Sequence, residues 1–229
     1  MIVGGNQPYL FPYIGYWQLM NVSDIFVISD SMQYIKRGYI NRNNILIHNN
    51  RHLFTLEVTG VHATTPINEV KVGRNSPQII KSILHAYRKA PYFEEIYPML
   101  EEILLNDEKN LAKYVGYSIE RIVQYLDIDT KIIYLSDLQG ETSLKGEDRV
   151  IDMCKRLNSD HYINAIGGQK LYTKENFLKE RIKLNFIKTG DIEYKQFNNE
   201  FVPNLSIIDV MMFNSKEEIK EMLNKYELI

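Results

Sequence analysis

The apolar positions of this chain fall into two rhythms. Short apolar runs at residues 1–3 and 25–28 read as buried parallel strands, and strand patterns return at 131–135, 161–165 and 184–188. Elsewhere apolar residues recur three and four apart, the spacing that puts them on one face of a helix. Ile79, Ile80, Ile83, Leu84 and Tyr87 share a face over 76–88; 93–105 shows comparable spacing; Leu111, Val115, Ile119, Ile122 and Leu126 form a stripe over 111–126. Shorter helical patterns at 16–21, 147–157 and 173–181 separate the strands. The polar stretch His48-Asn49-Asn50-Arg51 joins 44–48 to 53–58 as a hairpin, its two asparagines supplying the positive φ of a tight turn. Residues 60–66 read as a loop and 67–72 as a short extended segment. Strand and helix thus alternate at both ends around a helical middle. This predicts an α/β fold, with a mostly parallel sheet of Rossmann-like type and a helical insert at 76–127, in one unit over 1–229. No Pro/Gly/Ser linker, charge run or internal repeat marks a boundary.

Composition narrows the function classes. A chain of 229 residues, 45% hydrophobic, can bury a sizeable core. Its formal net charge of −2 argues against an electrostatically driven nucleic-acid binder. The single Cys154 excludes an intrachain disulfide, and it shares a helical stripe with Val150, Ile151 and Leu157, the setting of a buried thiol rather than a nucleophile. The first apolar run breaks at Gly4-Gly5, so neither a signal peptide nor a membrane span is expected, and the cytoplasm is the expected location. The spacings of zinc and EF-hand sites are absent, so no metal is expected. The G-x-S-x-G elbow and the Walker A loop are absent too, which removes the commonest hydrolase and P-loop readings.

Ligands of open α/β sheets gather beyond the carboxyl ends of the strands. Asn6 and Gln7 follow the first strand, with Tyr13 and Tyr16 at the start of the next helix. Asp30 ends the second strand, where it can hold a ribose hydroxyl, a metal or an attacking amine, or simply cap the following turn. Lys36, Arg37 and Arg42, interleaved with Tyr39, Asn41 and Asn43, can clamp a diphosphate while aromatic faces stack on a base or sugar; the alternative is a solvated loop. Gly167-Gly168-Gln169 follows a late strand and either exposes backbone N–H groups to an anion or turns the chain. His85 stands one position beyond its helix stripe, as a general base or a surface histidine. Asp209, on an otherwise apolar helix capped by Asn204 or Ser206, needs a partner, for which Arg42 or Arg37 is expected, the alternative being a catalytic role.

Four ordered blocks, QPYLFPYIGYWQL, DIFVISDSMQYIKRGYINRNNI, IGGQKLYTKENF and PNLSIIDVMMFNS, together resemble the WbqC-like family of bacterial proteins over essentially the whole chain. That resemblance implies a role in building surface polysaccharide, typically the O-antigen of lipopolysaccharide, on a nucleotide-linked sugar. Many relatives carry His where this chain has Asn6. Taken with the candidate residues, it implies a transferase moving an acyl or aminoacyl group to the amine of a nucleotide-linked amino sugar. Asp30 or His85 would accept the amine proton, Lys36, Arg37 and Arg42 would hold phosphates, and the Gly167-Gly168 N–H groups would stabilise the oxyanion. An activated acyl donor or ATP fits as co-substrate, and no pattern specifies an oligomer. The alternative is a non-catalytic nucleotide-sugar-binding or accessory protein of the same pathway, since no nucleophile is recognisable. The opening unit is also similar in layout to HIGH-type nucleotidyltransferases and pantothenate synthetase, with Tyr13-Ile14-Gly15-Tyr16 where a His-x-Gly-His would stand. Tyrosine donates a hydrogen bond to phosphate but brings no positive charge.

Overall fold

The computed structural model describes residues 1–138, 140, 144–197 and 200–229. In chain order the elements are β1 (Ile2–Asn6), α1 (Ile14–Asn21), β2 (Ile25–Ile28), β3 (Arg42–Ile47), β4 (Asn50–Thr55), β5 (Val58–Thr59), β6 (Lys71–Val72), α2 (Ser76–Tyr87), α3 (Phe93–Leu105), α4 (Leu111–Leu126), β7 (Lys131–Tyr134), α5 (Gly146–Arg156), β8 (His161–Ala165), α6 (Lys174–Lys179), β9 (Lys183–Thr189), α7 (Ile207–Phe213), α8 (Lys216–Leu223) and β10 (Tyr226–Leu228).

Six strands form the central sheet in the order β10-β9-β8-β1-β2-β7. All are parallel except β10, which runs antiparallel to β9. The chain builds outward from β1 through β2 to β7, then returns to the other side of β1 for β8 and β9, so the order reverses at β1. Alternation along the pleat sends successive side chains to opposite faces. Val3 and Val27 join Ile151, Cys154, Tyr162 and Phe177 in the layer under α5 and α6. Phe26 and Ile28 join Trp17, Leu19, Met211 and Ile219 in the larger core on the other face. Cys154 is wholly buried, and desolvation pushes its thiol up to about 12, the behaviour of an inert packing residue. Among the described residues no helix is long and apolar enough to cross a membrane.

Three of the expected elements fall differently, each for a physical reason, and α8 and β10 lie outside the elements expected from the sequence. β1 runs on through Gly4-Gly5 to Asn6 instead of stopping at Val3. A Cβ on Gly4 would come within 2.3 Å of the Ser23 hydroxyl, so the glycine serves close strand–helix packing, not a break. In the hairpin, Ile47 pairs with Asn50, so the two-residue turn is His48-Asn49, with φ of 48° and 61°, not the two asparagines. That register keeps Asn43, Ile45 and Phe54 on the buried face, which a one-residue slip would turn outward. Residues 67–72 begin as a 3-10 turn, Ile67–Glu69, before the two residues of β6.

Candidate functional site

β2 and β7 are neighbours, and beyond their carboxyl ends the chain turns polar at Asp30-Ser31 and Ser136-Asp137. The Asp30 carboxylate, only 3% exposed, joins these turns. Its Oδ1 accepts from the Ser136 amide at 2.9 Å, and its Oδ2 accepts from the Ser136 hydroxyl at 2.6 Å and the Asn68 side-chain amide at 3.2 Å. Asn68 also donates its backbone N–H to the Asp30 carbonyl at 3.0 Å. A carboxylate offers about four acceptor positions, so three donors leave roughly one for a ligand.

Two hollows flank this junction and share Ser136. The larger, about 510 Å3, is lined by Asp30, Asn68, Asn110, Lys113, Tyr134, Ser136 and Asp137. Tyr134 keeps its proton, because burial and then the charges of Glu120, Asp30 and Asp137 push its hydroxyl well up, so it is a donor there. The smaller hollow, about 250 Å3, is bounded by Ser31, Ser136, Arg149, Asp152 and Arg156 among others. Arg149 lies in the first turn of α5, half-buried, and donates to the Ser31 hydroxyl at 2.7 Å and to the Met32 sulfur at 3.5 Å. Arg156 is paired with Asp152 at 2.6 Å. The cleft therefore has the Arg149 guanidinium and the Asp152–Arg156 pair on one side, and Asp30, Asp137, Lys113 and a phenol on the other. A fixed guanidinium suits a phosphate or carboxylate, and the opposite wall suits hydroxyls and amines. Among the described residues no three His, Cys, Asp or Glu side chains converge as metal ligands.

The fold brings only some of the sequence-derived candidates together. Asn6 and Gln7 end β1 beside β2, with the Asn6 side chain accepting the Gln7 amide at 2.8 Å. The Tyr16 hydroxyl, buried and with its pKa driven far up by desolvation, donates to the Gln7 carbonyl at 3.1 Å. Tyr13 is half-buried at the N-cap of α1, with no capping bond from its side chain. Lys36 and Arg37 are exposed, and Arg42 turns its guanidinium back to the carbonyls of Gly38 and Arg37 within its own loop. Asn41 is buried between the Tyr34 hydroxyl, which donates to it at 2.8 Å, and the Leu56 carbonyl, to which it donates at 2.6 Å. Asn43 is buried and donates to the carbonyls of Leu10 and Phe11. Gly167, Gly168 and Gln169 form a 3-10 turn after β8. Neither glycine has a positive φ; a Cβ at Gly168 would stand 2.9 Å from the Asn164 side-chain oxygen, whereas at Gly167 nothing lies within 4 Å.

His85 lies elsewhere, exposed at the end of α2 with its ring 5.6 Å from that of His48, in a cavity that shares no residue with the Asp30 cleft. Asp209 corrects the expected arginine partner. It is wholly buried and accepts from the Tyr87 hydroxyl at 2.8 Å, the Tyr194 hydroxyl at 2.7 Å and the Gln196 amide at 2.6 Å. Neutral donors satisfy it, so no cation is drawn into the core.

The sequence pattern does not single out Ser136, Asn68, Asn110, Lys113 or Arg149, which also line the two hollows. Arg149 carries one usable signal, a cation in the first turn of a helix, where the dipole disfavours it unless another contact holds it.

The model of the WbqC-like protein family matches residues 7–221. The chain is also similar to an uncharacterized protein of Mycobacterium tuberculosis, 26% identical over 236 aligned positions that cover 95% of each chain. No solved structure matches.

Proposed function

Because the chain belongs to the WbqC-like protein family, we propose that it is a transferase of surface-polysaccharide precursor synthesis that moves an acyl or aminoacyl group onto the amine of a nucleotide-linked amino sugar. The observation that carries this reading is the pairing of two hollows across Ser136, one with Arg149 and one with Asp30, Tyr134 and Asp137. A diphosphate seats against the Arg149 guanidinium, and the sugar reaches past Ser136 into the larger hollow. Its volume of about 510 Å3 is in the range that holds small-molecule ligands. There Asp30 uses its remaining acceptor position for the sugar amine, and the Tyr134 hydroxyl donates to a ring substituent. In the transfer the amine nitrogen bonds to the acyl carbon, the bond from that carbon to its carrier breaks, and the amine proton leaves toward Asp30 or water.

A second reading is favoured by the saturation of Asp30. A carboxylate tied by three hydrogen bonds is built to orient more than to take a proton, which suits a nucleotide-sugar-binding or accessory protein of the same pathway. Incubating the protein with a nucleotide-linked amino sugar and acyl-coenzyme A or another activated acyl donor, followed by mass spectrometry, separates the two. A transferase gives a product heavier by the acyl group, and that product is lost in Arg149→Gln. A binder gives saturable heat in calorimetry and no product.

A further inference from the structure

Apart from the Asp30 cleft, the tip of the β3–β4 hairpin, the last turn of α2 and the chain at Phe197 enclose a cavity of about 380 Å3. Its rim is basic, with His48 from the hairpin and His85, Arg88 and Lys89 from α2 and the residues after it, and among the described residues no Asp or Glu lines it. The rings of His48 and His85 meet at 5.6 Å, tilted by 58°. Ala86 and Phe197 contribute apolar surface to the same cavity.

The walls are fixed to one another through a single buried group. The Leu46 amide of β3 donates to the Tyr87 hydroxyl of α2 at 2.9 Å, and that hydroxyl donates to Asp209 at 2.8 Å. Tyr194 and Gln196, which lead the chain to Phe197, donate to the other oxygen of Asp209 at 2.7 and 2.6 Å. Hairpin, helix end and the approach to Phe197 therefore share one wholly buried carboxylate, so the cavity is formed before any ligand arrives, which lowers the ordering cost of binding.

Basic residues at a helix carboxyl end also answer the helix dipole, and that accounts for His85, Arg88 and Lys89. It does not account for His48, which belongs to the hairpin, or for the apolar surface that lines the same cavity. A ligand with a negative head and an apolar or aromatic body answers all of these features. We propose that this cavity binds an organic phosphate, its phosphate held by His48, His85, Arg88 and Lys89 and its body against Ala86 and Phe197. The inference is independent of the Asp30 cleft.

Calorimetric titration of the full chain with pyrophosphate, uridine diphosphate, ATP and coenzyme A, alongside the imidazole nitrogen resonances of the histidines, tests it. At least one organic phosphate should bind saturably, move the His48 and His85 resonances and bind more tightly than pyrophosphate. Arg88→Gln/Lys89→Gln, both exposed and outside the core, should weaken that binding roughly tenfold or more, the loss expected when a charge-assisted contact goes. Arg149→Gln should leave it unchanged. Unmoved His48 and His85 resonances with every probe at millimolar concentration would overturn the proposal. So would binding that survives Arg88→Gln/Lys89→Gln and is lost in Arg149→Gln. Pyrophosphate binding as tightly as the organic phosphates would remove the role of the apolar surface.

Discussion

Asn43 donates its side-chain amide to the carbonyl oxygen of Phe11 at 2.7 Å, deep in the core and 32 residues away in sequence. Phe11 holds a left-handed φ of 46°, and the Ser206 hydroxyl donates to the same carbonyl at 2.8 Å. The next carbonyl, of Pro12, accepts from the Trp17 indole and from the Ile207 amide, each at 3.0 Å. Three of the four polar-aromatic sequence blocks thus meet at one buried turn.

Removing that amide leaves buried carbonyls with fewer donors in a strained turn. Asn43→Ala should destabilise the protein by about 1–3 kcal/mol. Urea denaturation measures the loss, and calorimetry on the folded fraction should show ligand affinity per folded molecule unchanged. A variant of full stability with impaired binding would return Asn43 to the ligand site.

Gly116 is needed where α4 meets β7, since a Cβ there would stand 1.9 Å from the Tyr134 hydroxyl oxygen and 2.9 Å from the carbon that bears it. Gly116→Ala should cost about 1–3 kcal/mol by overpacking, in spite of alanine's better helix propensity. Adding Tyr134→Phe should recover part of the loss, because the nearest clashing atom is then gone. A thermal melt of Gly116→Ala at the wild-type midpoint would contradict this packing.

Asp209 gives a pH signature of definite sign. Burial, its largest influence, raises the carboxyl above its ordinary 3.8, against the lowering by hydrogen bonds from Tyr194, Tyr87 and Gln196. A raised folded value means that folding favours the protonated form, so the group's contribution is full below 3.8 and is lost as pH rises through the folded value. The stability of wild type relative to Asp209→Asn, from urea melts across pH, should therefore be greatest in acid and decline on raising the pH. A difference that grows with pH would mean that the carboxylate, not the acid, is the form stabilised in the core.

Much of the fold was legible in the sequence, because long amphipathic stripes are local signals. The stripes at 93–105 and 111–126 match α3 and α4 residue for residue, the 3.6-residue period carrying α3 across even the interior Pro98. β1 was cut short because glycine weakens a strand in isolation, and only the approach of Ser23 explains it. The site was less legible. Asp30 follows from the carboxyl-end rule, but Asn68, Lys113, Ser136 and Arg149 reach it from four different segments, and only tertiary packing brings them together. Asn41 and Asn43 looked like ligand contacts because a buried backbone carbonyl attracts the same amide groups as a sugar does.

The cleft across Ser136 is tested most directly by titrating wild type and Arg149→Gln with a uridine diphosphate amino sugar and with uridine diphosphate alone. Among the described residues Arg149 donates to Ser31 and Met32 alone, so its loss should leave the circular dichroism spectrum and the melting temperature close to wild type. Affinity for both ligands should fall roughly tenfold or more, as expected for removing one charged partner of a phosphate. The amino sugar should bind wild type more tightly than the bare nucleotide does, and Asp30→Asn should reduce that difference. Equal affinity of wild type and a folded Arg149→Gln for the amino-sugar nucleotide would show that the ligand does not lie in this cleft.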